Sequence, residues 1–238
     1  MMRNRPFEHV RSAERGFSLI ELMISMVLGL VLITGVINLF LASSQTYRLQ
    51  DAMFRVQESG RFALDFVLRD LRSAGFQNVL PTNTFRNTSI QAVEGFLPAA
   101  AAPLGDVKDD VTSEALKIFS TGIAGGDVYY YVAPDVGGRL TLFRNLSAVV
   151  EGVEDVAFLY GVDTSGDRQA DSFLALGAVT AAQWSDVVAV RVSFLVASND
   201  AGVVEAVQAP PAPFASIPSD RRMYQAFTST VALRNKMP

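Results

Sequence analysis

The stretch RGFSLIELM, residues 15–23, sets one carboxylate inside an apolar run. Glu21 is surrounded by Phe17, Leu19, Ile20, Leu22 and Met23, and the next charge is Arg48. A carboxylate in such a run is costly in a bilayer and is normally paired with a cation. A second candidate is DTSGDRQAD, residues 163–171. Asp163, Ser165, Asp167 and Asp171 fall at positions 1, 3, 5 and 9, and Gln169 at position 7 offers a backbone carbonyl. That spacing is similar to an EF-hand calcium loop. It departs from one in having Ser at position 3, Arg168 at the position of the usual Gly, and no Glu at position 12. The other reading of the stretch is a polar hairpin turn, where Asp, Ser and Gly are expected in any case.

Other chemistries are narrowed by what the chain lacks. It has 238 residues and no cysteine, which removes disulfides and thiolate metal sites. Its one histidine is His9. If the N-terminus is removed, the remaining chain has no imidazole for Ser-His or Cys-His catalysis or for a zinc site. Sequence therefore reads as a non-enzyme. Residues 1–74 carry 9 Lys/Arg against 7 Asp/Glu, and residues 75–238 carry 11 against 17. The acidic second part argues against a nucleic-acid partner.

Glu21 belongs to an element that can be read directly. Phe17 to Ala42 is a 26-residue stretch in which Glu21 is the only charge, long enough to cross a bilayer. Arg3, Arg5, Arg11 and Arg15 precede it, against Glu8 and Glu14. The positive-inside rule puts residues 1–16 in the cytoplasm and the rest of the chain beyond the membrane. A secretory signal has its small-residue cleavage site after the apolar run. Here the small residue, Gly16, stands before it. Gly29 and Gly35 lie inside the span, where small residues let helices approach.

A helical stripe continues past the span. Leu49, Met53, Val56, Gly60, Ala63, Val67, Leu71 and Ala74 recur at steps of three and four. Asp51–Arg55 and Asp65–Arg69 are acid-first i,i+4 pairs on other faces. Gly75 reads as the C-cap. Gly60 within the stripe predicts close approach of a strand.

The layout RGFSLIEL closely resembles the type III signal of type IV prepilins and pseudopilins. The residues QESGRFALDFVLRDLRSAGF (57–76), YGVDTSGD (160–167) and FTSTVALRN (227–235) are similar to PilW-type minor pilins, relatives of the J-type minor pseudopilins of type II secretion. The resemblance implies that a prepilin peptidase cuts between Gly16 and Phe17 and that Phe17 is then N-methylated. It implies that Glu21, fifth in the mature chain, meets the N-terminal amine of a neighbouring subunit during assembly. The implied function is a minor pilin that primes type IV pilus assembly and sits near the filament tip, serving twitching motility or adhesion. The implied partners are other minor pilins, the major pilin, the inner-membrane assembly platform and a tip adhesin. Before assembly it would be a single-pass inner-membrane protein with a periplasmic head, and afterwards part of the surface pilus. Two alternatives are a minor pseudopilin of type II secretion and a membrane-anchored periplasmic binding protein that does not assemble.

After Gly75 the hydrophobic period shifts from near 3.6 to 2. Strands are predicted in residues 114–121, 127–133, 139–145, 153–160, 185–198 and 223–235. In the fifth of these, Val188, Val190, Val192, Phe194 and Val196 define one buried face. Residues 97–106 and 208–219 are Pro- and Ala-rich and read as loops. Tyr129, Tyr130 and Tyr131 read as cross-strand packing residues. The expected fold is α+β, a type IV pilin fold whose long N-terminal helix packs on an antiparallel β-sheet. The expected segments are a leader (1–16), a membrane and filament-core helix (17–42), its amphipathic continuation (43–74) and a β-rich head (75–238). The sequence assigns no certain cofactor, with calcium in the 163–171 loop as the open alternative.

Overall fold

The computed structural model describes residues 16–75, 91–97, 113–119 and 126–236. The chain divides into two compact units, Met1–Tyr47 and Arg48–Pro238. One helix, α1 (Leu19–Ser73), begins in the first unit and ends in the second.

Within the first unit the apolar side chains of α1 face outward. Leu19, Met26, Leu32 and Leu39 are each exposed by more than 60%. This part of the helix is long and apolar enough to cross a membrane. Ser25 Oγ donates to Glu21 O (2.7 Å), Thr34 Oγ1 to Leu30 O (2.8 Å) and Thr46 Oγ1 to Ala42 O (3.0 Å). These bonds satisfy the hydroxyls without a partner helix.

Among the described residues of the second unit, nine antiparallel strands form two sheets, where the sequence suggested one. Strands β1 (Val93–Phe96), β2 (Ala115–Ile118), β3 (Val128–Pro134), β4 (Leu140–Arg144) and β5 (Ser147–Glu151) lie in chain order. The second sheet has the order β7-β6-β8-β9, with β6 Val153–Val162, β7 Ser172–Ala175, β8 Val187–Ala197 and β9 Tyr224–Ala232. Both sheets share one core with α1. Val56, Ala63, Val67 and Leu71 of the helix join Tyr130, Leu142, Phe158, Val192 and Phe194. The six predicted strands are present as β2, β3, β4, β6, β8 and β9. The other three are four or five residues long, too short to give a reliable alternation.

Two details of the predicted pattern need correction. Met53 stands in the helical stripe by spacing, yet it is 38% exposed and Ala52 is buried in its place. One residue of rotation, about 100°, is enough to exchange them near the helix's entry to the core. Strand β8 was read with one buried face, but both faces are covered. Leu195 and Ala197 pack with Phe214 and Tyr224 in a separate cluster. The irregular 208–219 segment thus contributes Phe214 as a cover. Residues 98–106 of the other predicted loop lie outside the described residues.

The tyrosines separate by strand parity. Tyr130 points into the main core, whereas Tyr129 and Tyr131 join Phe143 on the other face of the first sheet. Tyr131 and Phe143 are cross-strand partners whose rings stack at 5.6 Å.

Gly60 shows the close approach expected of it. A Cβ at this position would overlap the ring of Phe227 on β9. Gly60→Leu gains about 1 kcal/mol of helix propensity but must displace that ring, at about 1–3 kcal/mol or more. Net destabilisation in urea is therefore expected. Phe227→Ala in the same chain should recover part of the loss, which a purely helical effect would not allow.

Candidate functional site

The candidate processing site occupies the start of the chain's described region. Gly16, Phe17 and Ser18 precede α1, and Leu22 N–H donates to Ser18 O at 3.1 Å. Gly16 is exposed, and Phe17 is 79% exposed. Glu21 lies in the first turn of α1, where the helix dipole favours a carboxylate. It shares this exposed end with Phe17, Leu19, Ile20, Leu22 and Met23. An α-amine created on Phe17 would bring a positive charge within a few residues of the carboxylate. A Cβ added at Gly29 or Gly35 would meet nothing within 4 Å, so both positions are open to a close neighbour.

The far end of the helix is fastened to the head by a charge the hydrophobic pattern does not reveal. Asp70 Oδ2 accepts hydrogen bonds from Tyr130 OH at 2.7 Å and from Arg144 Nε at 2.8 Å. The three side chains come from α1, β3 and β4. Burial, together with the bond to Asp70, pushes the Tyr130 phenol well above its ordinary range. Burial would lower the Arg144 guanidinium, but the Asp70 carboxylate raises it further still. Arg144 therefore remains a cation throughout the accessible pH range. The helix then stops with Gly75 at φ +72°, as a C-capping glycine does. Its N–H donates to Phe119 O (2.8 Å), while Asn235 Nδ2 donates to Ala74 O (2.8 Å). Asn235 was legible only as part of the C-terminal resemblance, not as a cap.

A second ionic knot ties β6 to the segment before β9. Arg222 bridges Glu154 and Asp220, and Tyr224 OH donates to Asp220. Glu154 and Arg222 are both largely buried, so the contact is worth more than a surface pair.

The loop 163–171 brings its two outer acids together around its own backbone. Asp163 accepts from the N–H groups of Ser165 (3.1 Å), Gly166 (2.7 Å) and Arg168 (2.7 Å). Asp171 Oδ2 accepts from Thr164 N–H (2.7 Å), Thr164 Oγ1 (2.8 Å) and Ser165 N–H (2.9 Å). Asp167 accepts from Gln169 N–H at 2.8 Å. Arg168 adopts φ +67°, so the sharp turn falls on a residue that lacks glycine's freedom. Among the described residues, no group of three or more His, Asp or Glu side chains is placed to hold a metal ion.

Desolvation would raise the Asp163 carboxyl, but the amides of Gly166, Arg168 and Ser165 hold it below its ordinary value. The Thr164 hydroxyl and amide do the same for Asp171. Both folded values are depressed, so the stabilisation is complete above the unfolded value near pH 4. It is lost as the pH falls through the lower, folded values.

These bonds predict that the turn is self-sufficient. A head fragment beginning near Ser44 should melt at the same temperature in millimolar calcium and in chelator. A calcium site would instead add roughly 2.7 kcal/mol at a hundredfold excess over Kd, several degrees in Tm, and Asp167→Ala would remove the difference.

With this geometry in place, the comparisons with known proteins are informative at both ends of the chain. Residues 11–37 match the family model of the prokaryotic N-terminal methylation motif. Residues 130–235 match the family model of the type IV pilus-assembly protein W. A solved structure of a type IV-like pilin from Thermus thermophilus aligns with 77% of this chain and 100% of its own, at 13% identity and a TM-score of 0.45. No curated protein matches the chain in sequence. The chain is thus similar to type IV pilus proteins in two stretches, a prepilin-type N-terminal motif (11–37) and a PilW-type region (130–235). Pilins are structural proteins rather than enzymes.

Proposed function

We propose that this chain, carrying the prepilin motif and a PilW-type head, is a minor pilin that primes type IV pilus assembly and is incorporated near the filament tip. The observation that carries the reading is the joint occurrence of the two matches, residues 11–37 and 130–235, on one chain. In this reading the prepilin peptidase cuts between Gly16 and Phe17, and Phe17 is N-methylated. The protein waits in the inner membrane with its N-terminus cytoplasmic and its head periplasmic. Assembly begins when the Glu21 carboxylate pairs with the α-amine of an adjoining subunit. In lipid such a pair is favoured, because either charge alone is costly there. The apolar outer surface of α1 then exchanges lipid for other pilin helices. The assembly platform, other minor pilins, the major pilin and a tip adhesin are the partners of this step.

Deleting the chain should abolish surface pili while leaving major pilin in the membrane. Retained pili with a specific loss of type II secretion would transfer the reading to a minor pseudopilin. If both systems were intact, the assembly role would be rejected.

A further inference from the structure

The exposed edge of β9 differs from every other sheet edge among the described residues. Strands β1 and β7 are four residues long, and β1 carries Glu94. Strand β5 ends in Glu151, and its pairing with β4 is interrupted by a bulge. The part of β6 beyond β7 is closed by carboxylates. Phe158 N–H donates to Glu114 Oε2 at 3.1 Å, and Val156 N–H to Asp155 Oδ1 at 2.8 Å. Shortness, charge and bulges are the usual means by which a sheet edge is kept from pairing with another chain.

Strand β9 has none of these. It runs nine residues, YQAFTSTVA, without a charge or proline, and its register with β8 is unbroken. Ser198 N–H bonds to Met223 O, and Leu233 N–H to Val188 O. Antiparallel alternation therefore directs the odd-numbered residues of β9 toward β8 and the even-numbered ones outward. Tyr224 N–H is taken by Gln208 Oε1 at 2.7 Å. Beyond it, the outward N–H and C=O groups of Ala226, Thr228 and Thr230 have no partner among the described residues. Thr228, Thr230 and Ala232 are exposed.

The geometry points to β9 as an acceptor edge for an extended, uncharged strand donated by a different pilin-type subunit. This deepens the proposed function by naming a contact surface. Main-chain bonds along Ala226–Ala232 would supply the affinity. The side chains flanking the added strand would be Thr228 and Thr230 on one face and Phe227 and Ser229 on the other. An uncharged donor rich in small and β-branched residues suits both. A second copy, paired antiparallel through β9 about a two-fold axis normal to the sheet, is the competing occupant that the disulfide test below separates.

The test uses the full chain in membranes, from cells with the whole pilus system and from a host expressing this chain alone. The amides of Ala226, Thr228 and Thr230 should exchange on the order of a hundredfold more slowly in the first case. Thr228→Pro removes an outward main-chain donor without removing a main-chain bond to β8, and Thr228→Lys adds a charge to the edge; both, like Thr228→Val, also lose the 2.9 Å contact between Thr228 Oγ1 and Ser193 Oγ. Both should melt as Thr228→Val does, since all three lose the hydroxyl contact to Ser193, and should lose at least tenfold in surface pili, while Thr228→Val keeps them. Equal exchange in the two membranes overturns the proposal, even if Thr228→Pro misfolds. So does normal piliation by a folded Thr228→Lys chain. A Thr228→Cys chain that forms a disulfide-linked homodimer through this position would overturn the assigned occupant. If deleting the chain leaves pili intact, the minor-pilin reading fails, whereas the exchange measurement still tests strand addition.

Discussion

Glu21→Ala is expected to abolish surface pili and to leave the monomer in the membrane. The substitution removes the charge in the stretch Phe17–Ala42, so insertion becomes easier rather than harder. What it removes is the partner for an α-amine on a neighbouring subunit. Glu21→Gln keeps the size of the side chain and lacks the charge, and should fail in the same way. The head is untouched by either change, because Glu21 lies in the unit Met1–Tyr47. Loss of pili with normal head folding therefore separates an assembly defect from a folding defect. Normal pili in a strain whose sole copy is Glu21→Ala would remove the assembly role, given that deletion of the chain abolishes them.

Asp70→Ala should cause a clear loss of head stability. The Asp70 carboxylate is 16% exposed, and Arg144 beside it is 29% exposed. The substitution leaves the Arg144 cation and the buried Tyr130 hydroxyl without their shared acceptor. Removing one member of a buried pair costs about 3–5 kcal/mol, and partial exposure here reduces that to about 2–3 kcal/mol. A drop of roughly 5–10 °C in Tm follows for a head of this size. Tyr130→Phe loses only the hydroxyl bond and should cost about 1 kcal/mol. A double-mutant cycle between Asp70 and Arg144 should show coupling, since the two share one contact. Additive effects would mean that the pair does not fasten α1 to β4.

Much of this architecture was legible because single residues carried unambiguous physics. The charge at Glu21 within an apolar run, with Gly16 before it, lies in the stretch 11–37 that matches the N-terminal methylation motif. Val56, Gly60, Ala63, Val67 and Leu71 marked the packed face of α1, and the overlap of Gly60 with Phe227 accounts for its glycine. Asp51–Arg55 and Asp65–Arg69 formed as spaced, at 3.0 and 3.5 Å. Asp70 was not legible. Its partners lie 60 and 74 residues away, and no local period connects an acid on a helix to a tyrosine and an arginine on two strands. The second face of β8 was hidden for the same reason, because Phe214 covers it from a segment whose composition announces only a loop. Strands β1, β5 and β7 are too short for alternation to separate them from turns. In the 163–171 loop the spacing of acids was readable, but whether they face a cation or their own amides depends on backbone dihedrals that spacing does not encode.

The central claim is that this chain is processed and built into a pilus. Mass spectrometry of the chain recovered from sheared surface filaments tests it most directly. The account predicts an N-terminal peptide that begins at N-methylated Phe17, with residues 1–16 absent. Recovery of the chain only from the inner membrane, with residues 1–16 intact on most molecules in cells with an active pilus system, would contradict it.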